Sequence, residues 1–560
     1  MSFSVSSLSL RVASVGSRRV KFRSLSSLRV TSKPAPEFSI SFDQRYQKDD
    51  AILKMPEACD AIKKPVNPEL NLEDDSKFQL TLGTANAKVV SAEYAVRGAV
   101  LLRALEIEED LKKNPDSYPF KNVVKCNIGN PQSLEQKPIT FTRQVLSLVL
   151  NPDLLTDDTI AKAFPKDAKA RARNYLDNIQ SVGAYSESNG ISVVRKEVAE
   201  YIQNRDNVFV DPENIFLTSG ASEGVEHLMR VILRSSDDAI LTPIPQYPLY
   251  SALTTALDGH FAPYYMGEET GWELDMNQVR QSLLDTRSQG KTVRAMVVIN
   301  PGNPTGSVLS VENMRDIVEF CIEEKIVLFA DEVYQKNIYT GEKPFVSFRK
   351  VAKDMHLLGT DGVLNAPLQL ASFHSISKGV VGECGLRGGY VDLLGFSENV
   401  MEQIYKLASI KLCSNVPGQI ATGLMVNPPS EGEESFAKYE QETNGIHASL
   451  QRRAQKLEAA LNALPGIRCH PIEGAMYAFP DITLPDKFVK YAQALGQKPD
   501  GMYAIEVLEN AGVVVVPGSG FGQNENTFHF RTTFLPPETV FDDVLERFST
   551  FHTKFMEQWS

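Results

Sequence analysis

Four polar groups stand directly behind apolar, β-branched segments of this 560-residue chain. Lys378 closes Ser375-Ile376-Ser377-Lys378, after the run Leu370–His374. Asp331 and Tyr334 follow Ile326–Ala330. Asn303 lies in Asn300-Pro301-Gly302-Asn303-Pro304-Thr305-Gly306, after Arg294–Ile299, where two prolines stiffen the turn. Ser219-Gly220-Ala221-Ser222 follows Asn214–Thr218 and opens a helical pattern. A lysine amine condenses with an aldehyde to a Schiff base. An aspartate keeps a pyridine nitrogen protonated, so that the ring draws electrons from a carbanion. Small residues at a helix start let backbone N–H groups approach a phosphate. The set suits a cofactor with an aldehyde, a pyridine nitrogen, a phenolic oxygen and a phosphate.

Taken singly, each group has a plainer reading. Asn-Pro-x-Gly is an ordinary turn, Asp331 would serve as a helix N-cap, and a lysine is most often solvated. Their common placement behind four strands is what calls for another explanation. Helical patterns alternate with short strands from about residue 137, including Asp238–Thr242 and Gly389–Asp392, with a helix over Val193–Asn204. That alternation predicts an α/β fold with a doubly wound, mostly parallel sheet, whose ligands bind beyond the carboxyl ends of the strands. A helix is expected over Ala92–Lys112, a short strand over Asn122–Ile128, and a long amphipathic helix over Gly445–Leu464. Strands near Ile467–His470, Ala475–Phe479, Val513–Val516 and Thr527–Thr532 predict a smaller α+β domain. The expected division is 1–36 a targeting segment, 37–136 an arm and part of the small domain, 137–440 the large domain, and 441–560 the C-terminal small domain.

Charge is unevenly spread. Residues 1–36 hold seven Lys/Arg, eleven Ser and no Asp or Glu. Taking those cations from the formal −12 leaves −19 on the rest, which argues against nucleic acid as a partner. The basic, serine-rich start is of the kind that addresses chains to organelles, mitochondrion ahead of plastid. No apolar run reaches the ~18–20 residues that span a bilayer, so no membrane partner is expected. The six cysteines lie far apart without a C-x-x-C pair and the eight histidines form no H-E-x-x-H, so no metal site is expected. Gly518-Ser519-Gly520-Phe521-Gly522 lacks the dinucleotide spacing and reads as a loop covering a substrate.

From about Asn127 to Arg531 the chain resembles the fold type I aminotransferases of the aspartate-aminotransferase superfamily. Asn303-Pro304-Thr305-Gly306, Asp331 with Tyr334, and Ser375-x-x-Lys378 with Arg387 carry the likeness in the expected order. Val182–Ser188, Ile244–Tyr250, Ser372–Lys378 and Gly382–Tyr390 are most similar to the alanine aminotransferase subgroup. The resemblance implies pyridoxal 5'-phosphate held on Lys378, with Asp331 at the pyridinium nitrogen and Tyr334 and Asn303 at the ring hydroxyl. It implies Tyr247 against the ring and Gly220, Ala221, Ser222, Ser375 and Arg387 around the phosphate. Arg531 takes the position of the clamp for the substrate α-carboxylate, and Gly129 passes its backbone close to the substrate. Tyr185 would reach the phosphate of a neighbouring subunit, implying a homodimer with shared sites. The implied reaction interconverts alanine and 2-oxoglutarate with pyruvate and glutamate. An aromatic, kynurenine or glutamate:glyoxylate aminotransferase, or a related lyase, stays open. A DNA-binding regulator built on this fold would need a basic winged-helix module, and residues 37–90 show no such pattern.

Overall fold

The main sheet is built from runs such as Thr-Val-Arg-Ala-Met-Val-Val-Ile, whose last five residues are all buried. A computed structural model describes residues 80–94, 98–157, 159–524 and 527–560. The expected targeting segment 1–36 and residues 37–79 of the expected arm lie outside them. Eight strands among the described residues share one sheet: β1 (Ile215–Thr218), β2 (Asp238–Ile244), β3 (His260–Gly267), β4 (Glu273–Leu274), β5 (Thr292–Ile299), β6 (Val327–Asp331), β7 (Leu370–Ser375) and β8 (Gly389–Leu394). Their spatial order is β1-β8-β7-β6-β5-β2-β3-β4. The central pairs β3–β2, β2–β5, β5–β6 and β6–β7 are parallel, while β8 and β4 run the other way.

Burial on both faces explains why these strands read as near-continuous apolar runs. Along β5, Ala295, Val297 and Ile299 pack with Val225, Leu228 and Met229 of helix Ala221–Ile232. Met296 and Val298 point the other way, into a core shared with Met314 and Ile317 of helix Val311–Glu324. The sheet is therefore the middle layer of an α/β sandwich, and its carboxyl ends are left clear for a site.

A separate core joins helix Ala99–Lys113 to the helices Phe436–Asn462, Pro499–Ala511 and Glu538–Trp559. Against it lies a three-stranded sheet, β9 (Tyr477–Ala478), β11 (Phe530–Thr533) and β10 (Val516–Pro517) in that spatial order, antiparallel throughout. Phe530 faces this core, stacking near Phe548 and Tyr503, so Arg531 points to the opposite side.

Several expected boundaries shift, for identifiable reasons. The helix expected from Ala92 begins at Ala99, after Gly98 in an extended conformation. The strand expected over Asn122–Ile128 reduces to Val124–Lys125, because only those residues find partners, at Val513 and Val514. The helix expected from Gly445 starts at Phe436: its first turns are largely polar and follow no buried stripe, so periodicity alone does not register them. The strand expected over Thr527–Thr532 runs from Phe530 to Thr533.

Candidate active site

The carboxyl ends of β2, β5, β6 and β7 open on one cavity of about 230 Å³. Gly129, Ala221, Ser222, Tyr247, Asn303, Asp331, Tyr334, Ser375, Lys378, Arg387 and Arg531 all line it. Gly220 stands just behind the wall, and Tyr185 lies apart from it, 76% exposed. Residues scattered over 400 positions are thus brought together, many of them at or just beyond the end of a strand whose register is fixed by burial.

Lys378, in the turn after β7, donates from Nζ to the Gly129 carbonyl at 2.8 Å and lies 5.7 Å from the Tyr334 ring centre. Asp331 ends β6 and is buried. Its Oδ2 accepts from the Tyr250 hydroxyl at 2.8 Å, while Oδ1 is buried without a hydrogen-bond partner. Burial pushes its carboxyl up to about 6, against the Tyr250 hydrogen bond, a backbone hydrogen bond from Val333 and the charge of Lys378. A buried carboxylate oxygen left without a partner is costly unless something cationic or proton-bearing meets it.

At the other end of the cavity, Gly220 turns with φ 83° into helix Ala221–Ile232. A Cβ there would lie 2.4 Å from Nη2 of Arg387, so only glycine lets the guanidinium settle against the turn. Arg387 donates from Nη2 to the Ser219 carbonyl at 2.8 Å and to Ser222 Oγ at 3.3 Å. Free helix N–H groups, a hydroxyl and a guanidinium make an anion cradle. Ser375 Oγ is turned to the Gly388 carbonyl at 3.0 Å and lies 3.1 Å from Ser377 Oγ.

Arg531 on β11 is 1% exposed. Its Nη1 donates to Asn303 Oδ1 at 3.1 Å, its Nη2 donates to the Asn127 carbonyl, and its Nε is buried without a partner. The guanidinium sits 4.3 Å from the centre of the Tyr477 ring and 4.9 Å from that of Phe521. Two aromatic rings flank a cation that no carboxylate among the described residues pairs with, which leaves its charge for a ligand. Phe521 corrects one expectation: it is buried, its carbonyl accepts from Gln246 N at 3.1 Å, and none of residues 518–522 lines the cavity. The glycine-rich segment backs Arg531, because its one large side chain is drawn into the core.

Sequence reasoning passed over ten lining residues, and three of them make polar contacts that bear on the site. Tyr94, from the segment before helix Ala99–Lys113, joins its hydroxyl to that of Tyr247 at 2.9 Å. Cys384 directs its thiol to the Ser377 carbonyl at 3.2 Å. Tyr477 on β9 accepts a hydrogen bond from the Gly129 amide at 3.1 Å. In an apolar run such as Ala475–Phe479 a tyrosine reads as packing. The available signal was Gly129 itself, where a Cβ would lie 2.2 Å from the Tyr477 hydroxyl and 3.0 Å from Lys378 Nζ.

Among known proteins, the family model described as aminotransferase class I and II matches residues 151–548. A probable mitochondrial alanine aminotransferase of Dictyostelium discoideum is 50% identical over 489 residues, which are 86% of this chain and 90% of that protein. Glutamate–glyoxylate aminotransferase 2 of Arabidopsis thaliana is 48% identical over 85% of this chain and 96% of its own length. In structure, an alanine aminotransferase from Pyrococcus furiosus superposes with a TM-score of 0.66 at 26% identity, over 84% of this chain and all of that one.

Proposed function

Because the chain belongs to the aminotransferase class I and II family, we propose that it is a pyridoxal-phosphate enzyme exchanging amino groups between alanine and 2-oxoglutarate. The observation that carries this reading is that Asp331, whose Oδ1 is buried without a partner, lines the same cavity as Lys378 and the anion cradle of Arg387. These residues fit the cofactor. Asp331 offers a carboxylate to a pyridinium nitrogen. The cradle of Gly220, Ala221, Ser222, Ser375 and Arg387 offers donors to a phosphate, and Tyr334 and Asn303 offer donors to a ring hydroxyl. When bound, the cofactor supplies an aldehyde for the amino group and a ring that draws electrons away from the substrate Cα.

The chain's own groups do the rest. Lys378 would take the proton from the substrate Cα onto its Nζ, as a base held beside the reacting carbon. Asp331, buried and paired with Tyr250, keeps a proton on the pyridine nitrogen. Arg531 receives the α-carboxylate between its two aromatic neighbours, orienting the Cα–H bond toward Lys378. Tyr247, held by the hydroxyl of Tyr94, would lie against the cofactor ring. The Gly129 backbone passes close enough to leave no side chain in the substrate's way.

Tyr185, exposed and distant from this chain's cavity, supports a homodimer in which it completes the partner's phosphate site. The composition of residues 1–36 and the mitochondrial relative support import into the mitochondrial matrix, with plastid or cytoplasm as alternatives. Among the described residues no helix is long and apolar enough to cross a membrane.

Half-reaction spectra with alanine, glutamate, aspartate and kynurenine test the reading. Alanine and glutamate should each bleach the visible band, and pyruvate or 2-oxoglutarate should restore it. A band that responds to none of the four amino acids would overturn the function. The near-equal identity to a glutamate–glyoxylate aminotransferase gives a second reading its place: glyoxylate restoring the band far faster than pyruvate would favour that one.

A further inference from the structure

The tyrosine missed in sequence sits where the proposed catalytic groups meet. Tyr477 is 3% exposed, and each part of its side chain is engaged. Its hydroxyl accepts from Gly129 N at 3.1 Å, and the carbonyl of the same glycine accepts from Lys378 Nζ at 2.8 Å. Its ring carries the Arg531 guanidinium at 4.3 Å. The Tyr334 ring stands edge-on at 6.2 Å, with its hydroxyl within reach of the Tyr477 hydroxyl.

We propose that Tyr477 is a positioning residue that fixes the Gly129 peptide beneath Lys378 and supports Tyr334 as a hydrogen-bond donor. The proposal rests on the reading that the cavity holds pyridoxal phosphate, with Tyr334 beside its ring hydroxyl. A Tyr334 proton turned toward that hydroxyl leaves the Tyr334 oxygen free to accept from Tyr477. The two phenols then form a chain in which each bond polarises the next. Burial raises the Tyr477 phenol, but the charges of Lys378 and Arg531, the contact with Tyr334 and the Gly129 amide together bring it below its ordinary value. Tyr334 is driven the other way by burial, by Tyr477 and by Asp331, so it keeps its proton.

Tyr477→Phe keeps the ring under Arg531 and removes only the hydroxyl. The expected result is a kcat reduced about tenfold to a hundredfold, with KM for alanine changed much less. The visible absorbance titration of the holoenzyme should move its midpoint upward by about one pH unit, because Tyr334 becomes a weaker donor to the ring oxygen. In a Tyr334→Phe background, Tyr477→Phe should move the midpoint no further, since the effect travels through Tyr334. A midpoint that stays in place in the single variant, or moves equally in both backgrounds, overturns the proposal. The titration needs bound cofactor but no amino donor, so it judges Tyr477 separately from the transamination reading.

Discussion

Arg531 Nη1 donates to Asn303 Oδ1 across 3.1 Å, tying β11 of the three-stranded sheet to the turn that ends β5 of the large one. The contact holds Asn303, the proposed partner of a ring hydroxyl, in one orientation. Substrate grip and cofactor grip are therefore mechanically joined.

That junction makes Arg531 the sharpest probe of substrate binding. Losing one side of a desolvated carboxylate pair typically costs about 3–5 kcal/mol. Arg531→Ala should lower kcat/KM by roughly a hundredfold to several thousandfold, equally for alanine and glutamate. Arg531→Lys should recover only part, since an ammonium cannot form the two parallel bonds. Steady-state kinetics decides it, and unchanged alanine affinity in either variant would refute the clamp.

Lys378 should be the residue on which borohydride fixes the cofactor, as read by peptide mass. Lys378→Ala should lose several orders of magnitude in activity while still holding cofactor without a covalent bond. An adduct on any other lysine would end the assignment.

Asp331 gives a stability test whose sign follows from its raised pKa. With the folded-state value near 6 and the reference at 3.8, the ionised carboxylate is less welcome in the fold than in the unfolded chain. Its contribution is full below about pH 4 and is lost as pH rises through about 6. In cofactor-free protein, Asp331→Asn should therefore gain stability at pH 8, by at most about 3 kcal/mol, and gain little at pH 4. The same variant should bind pyridoxal phosphate more weakly. Denaturant melts at the two pH values check the first part, and equal stability of variant and wild type at pH 8 would contradict it.

Gly129→Ala should cost most of the activity, because the new Cβ would overlap the Tyr477 hydroxyl at 2.2 Å and crowd Lys378 Nζ at 3.0 Å. Adding Tyr477→Phe should restore part of it, while a purely additive double variant would show that the clash lies elsewhere.

Residues 1–36 should carry a fluorescent fusion into mitochondria. Microscopy with a matrix marker reads this directly, and diffuse cytosolic signal would count against it.

What the sequence made legible was whatever is tied to a strand end. Lys378, Asp331 and Asn303 could be named because β7, β6 and β5 are apolar, short and flanked by turn residues, and the structure sets all three on one cavity. Tyr477 could not, because its role depends on Gly129, 348 positions away, and neither residue departs from ordinary packing or turn chemistry in its own neighbourhood. Tyr94 escaped for a similar reason: its partner is Tyr247 and the intervening stretch has no clear period. The shifted start of helix Phe436–Asn462 shows the same limit in reverse, since a polar face leaves no trace of periodic burial.

The guanidinium of Arg531 grips the Asn127 carbonyl from 404 positions further along the chain. A polypeptide emerging from the ribosome or from an import channel N-terminus first carries Lys378, Asp331 and Arg387 long before β11 exists. On the assignments proposed above, an immature chain acquires its cofactor-facing groups first and its substrate grip last. Non-local closure of this kind is slow, and it makes recognition of the amino acid a report that the whole chain has folded.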